Sequence, residues 1–183
     1  LGYPNDGGQV GKVTGYRRSD GKMAGADADV YMPLLDSVSA PPFMVRMPGV
    51  KAGQCNVLAQ PADVMPSVLD FLKIPAPETV QGQSFLPLLK GRKADWRKHA
   101  MTACFGNFAQ IGDRRWLYGV WAHENPPKLF DRKTDPDQKR NVLKANPDVA
   151  RRLHRKMIAE LQRLDAPAEW IGKLDAKAAM AKL

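Results

Sequence analysis

Cysteine is nearly absent from this 183-residue chain: there are two, Cys55 and Cys104, and three dispersed histidines. The cysteines lack CxxC spacing and have no histidine at ligand distance along the chain. That excludes a disulfide framework and the usual zinc patterns, and it reads both as small buried hydrophobes. Long apolar runs are missing too, so no segment reaches the roughly 20 residues needed to span a bilayer. No charged start followed by an apolar stretch and a small-residue cleavage site is found at the N-terminus. Internal repeats are lacking, as are helix-turn-helix, zinc-finger and RNP patterns. The formal charge of +9 therefore does not come with a nucleic-acid-binding motif, and neither nucleic acid nor membrane is expected as a partner.

What is present suits one domain with a true core: 44% hydrophobic and 26% charged residues. Part of the positive charge lies in Arg151, Arg152, Arg155, Lys156 and Arg163, on a C-terminal helix. There it reads as a solvated face or as surroundings that attract an anion. The chain opens at Leu1 rather than at a methionine, in a stretch punctuated by Gly2, Gly7, Gly8, Gly11, Gly15, Gly21 and Gly25. The expectation is a fragment of a longer protein, irregular over residues 1–42.

Local patterns then define elements. Phe43–Met47 reads as a short strand stopped by the turn pair Pro48-Gly49, and Cys55–Ala59 as a second extended segment. A helix follows, with Asp63 at its start, Pro66 at its first position, Val68, Leu69 and Leu72 on one face, and Ile74-Pro75 as its stop. Ser84 is placed to cap a shorter helix through Leu86, Leu88 and Leu89 that closes at Gly91. Ala100–Cys104, Phe108–Ile111, Trp116–Trp121 and Lys128–Asp131 are apolar runs separated by turn signals too short for crossovers, which predicts an antiparallel meander. Within it, Trp116 and Tyr118 share one face and Trp121 takes the other, as core packing. Asn146, Pro147 and Asp148 start a long helix as N-cap, first residue and dipole partner. Its buried stripe is Val149, Leu153, Met157, Ile158, Leu161 and Leu164, and Asp165-Ala166-Pro167 ends it. The Ala- and Lys-rich segment from Lys173 reads as frayed helix or disorder. The expected organisation is residues 1–91, residues 92–172 as a sheet with its packing helix, and a tail over 173–183.

Four stretches, in order, resemble the sulfatase family of the alkaline phosphatase superfamily. Pro42-Phe43-Met44-Val45-Arg46-Met47-Pro48-Gly49 is similar to its V-P-hydrophobic-hydrophobic-hydrophobic-R-x-P-G strand. Ala62-Asp63-Val64-Met65-Pro66 through Ile74 is similar to its D-hydrophobic-x-P-T helix, with Ser67 in place of Thr. Gly82-Gln83-Ser84-Phe85-Leu86-Pro87-Leu88-Leu89 is similar to D-G-x-S-L-x-P-L-L, and Lys128-Leu129-Phe130-Asp131 through Asn141-Val142 to E-L-Y-D-L-x-x-D-P-x-E-x-x-N-L. These are scaffold segments: Asp135-Pro136 forms a turn and Asn141 pins the backbone after it. The resemblance implies an α/β alkaline-phosphatase-like sulfatase fold, of which this chain is the C-terminal part, with a small antiparallel sheet packed by a long helix.

The resemblance also implies a chemistry that this stretch does not carry in full. The family uses a formylglycine made from a C/S-x-P-x-R motif, and no such motif is found here: Cys55 precedes Asn56-Val57-Leu58, and Cys104 precedes Phe105-Gly106-Asn107. It uses calcium or magnesium held by an early Asp-Asp pair, expected upstream of residue 1, and by a later Asp-Asn or Asp-His before Gly. Asn5-Asp6-Gly7-Gly8 is one candidate for the later pair. In the alternative alignment, Leu1-Gly2 and Val10-Gly11-Lys12 match the second half of D-H-G-x-x-L-G-x-H-G-x-x-G-K, and the metal ligands precede Leu1. Lys12 is then the sulfate-binding lysine, with Lys22 the runner-up because its distance to the Phe43 segment fits the family better. The implied parent hydrolyses a small-molecule or glycan sulfate ester, is periplasmic or secreted, and is inactive when reduced to this chain. A phosphonate or phosphate ester hydrolase of the same superfamily is the alternative, and a non-enzymatic basic domain for an anionic partner is another.

Overall fold

A computed structural model describes residues 36–104, 108–122 and 126–180. They fall into two compact units, one covering Phe43–Ala100 and the other Met101 onward together with the residues before Phe43.

The second unit is built on a four-stranded sheet in sequential order: β1 (Ala100–Cys104), β2 (Phe108–Gly112), β3 (Trp116–Trp121) and β4 (Lys128–Asp131). The meander predicted from short turn spacers is thus formed. β2 and β3 pair antiparallel with Ile111 opposite Tyr118, and β3 pairs antiparallel with β4 with Tyr118 opposite Leu129. The β2–β3 turn is held by Asp113, whose carboxylate accepts the N–H groups of Arg115 (2.8 Å) and Trp116 (2.7 Å).

Strand alternation sorts the side chains into two layers. Ala109, Ile111, Tyr118, Val120 and Leu129 face the helix α4 (Pro147–Arg163) and bury against its Ala150, Leu153, Met157 and Leu161. Leu117, Trp121 and Phe130, with Phe108 beside them, form a separate cluster on the opposite face. Trp116 and Tyr118 therefore do share a face, and Trp121 takes the other. Each fully buried Leu or Met of the α4 stripe contributes about 1.5–3 kcal/mol.

α4 starts where Asn146, Pro147 and Asp148 predict, but Asn146 does not cap it through its side chain: the amide donates instead to the Val142 carbonyl (3.1 Å). The helix ends in a Schellman arrangement, with Ala166 N–H on the Leu161 carbonyl, Asp165 N–H on that of Gln162, and Asp165 left-handed at φ 56°. Residues 173–180 correct the expectation of a frayed tail. They belong to α5 (Ala168–Met180), and Leu174 anchors that helix in the core. The short helix α1 (Asp36–Ser39) is tied to this unit by Arg132, whose guanidinium reaches the Asp36 carboxylate at 2.7 Å, and by the Gln138 side-chain oxygen, which accepts the Asp36 N–H at 2.8 Å.

The first unit is made of loops around α2 (Val64–Leu72) and α3 (Leu86–Leu89). A 3-10 turn, Pro61–Asp63, leads into α2, so Pro66 is the third helical residue rather than the first. The position is tolerated because first-turn N–H groups have no partner within the helix. Both helices end in Schellman arrangements, α3 with Gly91 at φ 69° and α2 with Lys73 at φ 58°. Ser84 serves α3 as expected, its hydroxyl accepting the Leu86 N–H at 3.2 Å. Phe43–Met47 and Cys55–Ala59 are not strands. A strand exists only through its pairing ladder, and within the described residues neither segment has one.

Candidate functional site

The residues singled out for sulfate and metal binding, Lys12, Lys22 and Asp6, lie outside the described residues, as does His123. Cys55 is exposed, which corrects its reading as a buried hydrophobe. His154, placed by sequence only on a basic helix, is buried. Its Nδ1 lies 3.2 Å from the Tyr118 hydroxyl and its Nε2 lies 2.8 Å from the Asp175 carboxylate. Burial, and then the nearby Asp175 charge, push the Tyr118 phenol above its ordinary pKa. The tyrosine has no exposed surface, so this Asp–His–Tyr series joins α5, α4 and β3 as a clasp and offers no reactive end to a substrate. These residues are 36 and 21 positions apart, and no local pattern announces them.

The motif residues do come together, and they form structural knots. Asp63 is fully buried and accepts from four groups: Arg97 Nη1 and Nη2, each at 2.5 Å, the Gln60 N–H at 2.7 Å and the Gln83 N–H at 2.9 Å. Burial pushes its carboxyl up, but the Arg97 hydrogen bond and the two backbone N–H groups together outweigh this and hold it below the usual aspartate range. Arg97 also donates to the Leu58 carbonyl at 3.1 Å, beside the Trp96 indole at 3.0 Å from the same oxygen. Ser67 closes the knot: its hydroxyl donates to the Asp63 carbonyl and accepts the Phe85 N–H. At Gly82 a Cβ would lie 1.9 Å from the Ala62 carbonyl oxygen, so the close approach of these two motif stretches requires glycine. The Asp63–Arg97 pair was missed at the sequence level because the partners are 34 residues apart.

The fourth stretch forms a second knot. Asp131 takes a forked contact from Arg115, with Nη2 at 2.8 Å, and its carbonyl accepts the N–H groups of Thr134 and Asp135. The Arg115 guanidinium holds the Asp131 carboxyl below its ordinary pKa. The Asp135 carboxylate accepts the Arg140 N–H at 2.7 Å, and that bond lowers its pKa in turn. Asn141 pins the backbone as expected: its side-chain oxygen accepts the N–H groups of Leu129 (3.0 Å) and Leu143 (3.1 Å). Each of these carboxylates is saturated by donors of its own chain.

The concave surfaces of the first unit are apolar. One groove of about 410 Å³ is lined by residues 43–48, by Val64, Ser67, Val68 and Phe71 of α2, and by Phe85, Leu86 and Leu89. A neighbouring one of about 480 Å³ lies along residues 53–57. Arg46 is the one charged residue lining either groove. Among the described residues no group of three or more His, Cys, Asp or Glu is placed to hold a metal ion, so they do not fit the calcium or magnesium of the resemblance. No catalytic step is routed through such a group here. Among the described residues, no helix is long and apolar enough to cross a membrane.

Comparison with known proteins matches residues 32–166 to the family described as N-sulphoglucosamine sulphohydrolase, C-terminal. Human arylsulfatase K is 27% identical over 158 residues, a match covering 78% of this chain and 30% of that protein. Among solved structures, a Bacteroides thetaiotaomicron protein from work on the metabolism of multiple glycosaminoglycans superposes with a TM-score of 0.61 at 23% identity, covering 72% of this chain and 32% of the other. The phosphonate monoester hydrolase of Silicibacter pomeroyi superposes with a TM-score of 0.57 at 27% identity, covering 64% and 28%. The chain thus spans about a third of the length of the relatives it matches.

Proposed function

Because this chain belongs to the sulfatase family, matching its N-sulphoglucosamine sulphohydrolase C-terminal domain, we propose that it is the C-terminal scaffold of a sulfuric ester hydrolase. The carrying observation is that every motif stretch of the match falls on structure rather than on chemistry. Asp63, Gly82, Ser84, Asp131, Asp135 and Asn141 are spent on backbone N–H groups, arginines or close approaches. A fragment with this distribution supplies the shape of a domain. The nucleophile and metal, formylglycine with calcium or magnesium in the family, belong to the part of the relatives that this chain does not span.

In this reading Lys12 binds the sulfate of the substrate, with Lys22 as the rival. An ammonium is a compact charge suited to a sulfate oxygen. The substrate is a small-molecule or glycan sulfate ester, and the parent works in a periplasmic or extracellular setting. The likeness to a phosphonate monoester hydrolase favours a second reading in which the ester is a phosphonate. Steady-state assays of the protein extended upstream of Leu1, on 4-nitrophenyl sulfate and on a 4-nitrophenyl phosphonate ester, decide between the two. A larger kcat/KM for the sulfate supports the proposal, and a larger value for the phosphonate overturns it. Lys12→Ala is expected to lower kcat/KM by about tenfold to a hundredfold, while Lys22→Ala leaves it nearly unchanged.

A further inference from the structure

The helix α2 is built inside out. Its two polar side chains, Ser67 and Asp70, point to the chain's own loops: Ser67 is buried against Asp63 and Phe85, and Asp70 accepts the Ser84 hydroxyl at 2.6 Å. Its apolar side chains Val64, Met65, Val68, Phe71 and Leu72, with Ile74 beyond its end, are between 40% and 55% exposed. A surface helix of a soluble domain shows the opposite arrangement, and a helix apolar on most of its circumference is one that is covered. The exposed face runs into residues 43–45, where Met44 is 89% exposed, and shares one groove with them. A contiguous apolar patch of this kind marks an interaction surface.

The occupant can be narrowed. No lysine or arginine lies within Val64–Leu72 although the chain carries a formal charge of +9, so the face lacks the basic rim by which an interfacial helix meets anionic lipid. The grooves hold one charged lining residue, Arg46, which does not suit a sulfated or phosphorylated polymer. The human relative is more than three times as long as the stretch matched here. We propose that the outward face of α2 together with residues 43–47 is the docking surface for the α/β catalytic portion of the sulfatase, carried on the same reading frame. Met44, Val68 and Phe71 are its anchors. This rests on the functional reading above and assigns the surface through which that reading would operate.

The test is amide hydrogen exchange, by mass spectrometry, on the 183-residue chain and on the polypeptide of the same reading frame extended upstream of Leu1. Peptides covering 43–47 and 64–72 are expected to exchange about tenfold or more slowly in the extended protein. Val68→Asp with Phe71→Asp is expected to destabilise the extended protein while leaving the circular dichroism and melting of the 183-residue chain unchanged. Equal exchange in the two proteins overturns the proposal, as does a reading frame closed upstream of Leu1. Slow exchange of 64–72 in the short chain alone, with a mass that rises with concentration, assigns the face to a second copy and also overturns it. So does binding to phosphatidylcholine vesicles that the double substitution abolishes. Ester hydrolysis is measured on the same extended protein. Protection at 64–72 without sulfatase activity leaves the docking surface standing and removes the functional reading, and activity with unprotected α2 does the reverse.

Discussion

Replacing Arg97 by Met tests whether the Asp63 knot holds the first unit together. Asp63 has no exposed surface and takes two of its four hydrogen bonds from the Arg97 guanidinium. Removing one partner of a buried pair costs about 3–5 kcal/mol, because the remaining charge stays desolvated. The lower end applies here, since the Gln60 and Gln83 N–H groups remain on the carboxylate and Met fills the arginine stem. The expected loss is therefore about 3 kcal/mol at neutral pH. The sign with pH follows from the direction of the shift. Asp63 is held below 3.8 in the folded protein, so its contribution is present above pH 4 and is lost as pH falls through the folded value. Without Arg97 the desolvation of Asp63 is no longer outweighed, its folded pKa rises, and the gap between variant and parent narrows in acid. Urea unfolding followed by circular dichroism and by tryptophan emission, where Trp96 reports from beside the knot, measures both quantities. A loss under about 0.5 kcal/mol, or a gap that widens as pH falls from 6 to 3, refutes the reasoning.

Three further outcomes follow from single contacts. Gly82→Ala places a Cβ 1.9 Å from the Ala62 carbonyl oxygen and is expected to cost about 3 kcal/mol in the same urea titration, with no loss of β-sheet signal. Asn141→Ala leaves the N–H groups of Leu129 and Leu143 to water and should cost about 1 kcal/mol, read as a lower melting temperature. His154→Phe strands the buried Tyr118 hydroxyl and is expected to cost about 1–2 kcal/mol and to speed hydrogen exchange in α5. Asp175→Asn, at an exposed end of the same series, should change stability by less than about 0.5 kcal/mol.

The parts of this structure that can be read from sequence are those whose causes are local. The four strands of the second unit fall where apolar runs are divided by Gly106-Asn107, Gly112-Asp113 and Pro126-Pro127. A meander asks each strand to pair only with the next, so turn spacing carries its topology. α4 was legible for the same reason: a stripe of 3- and 4-residue steps against one sheet face needs no knowledge of distant residues. Phe43–Met47 has the composition of a strand, but composition cannot supply the neighbouring strand, and the described chain does not provide one. Residues 173–180 failed in the opposite direction. Their Ala and Lys content was read as fraying, whereas Leu174 in the core gives α5 the tertiary anchor that a short isolated helix lacks. The knots show where local reading stops. Asp63 was legible as a helix start, but the arginine that neutralises it is 34 residues away across a basic stretch that reads as solvated surface. The same limit explains why α2 was assigned one buried face. Its sequence shows an apolar stripe, and only the structure shows that Ser67 and Asp70 have taken the inward positions and left that stripe facing out. A stripe that faces outward on a helix held in place by a buried ion pair is not a folding error awaiting repair. The knot fixes the orientation of α2 independently of anything that covers it, so the docking face is preformed, and its partner need not pay for ordering it.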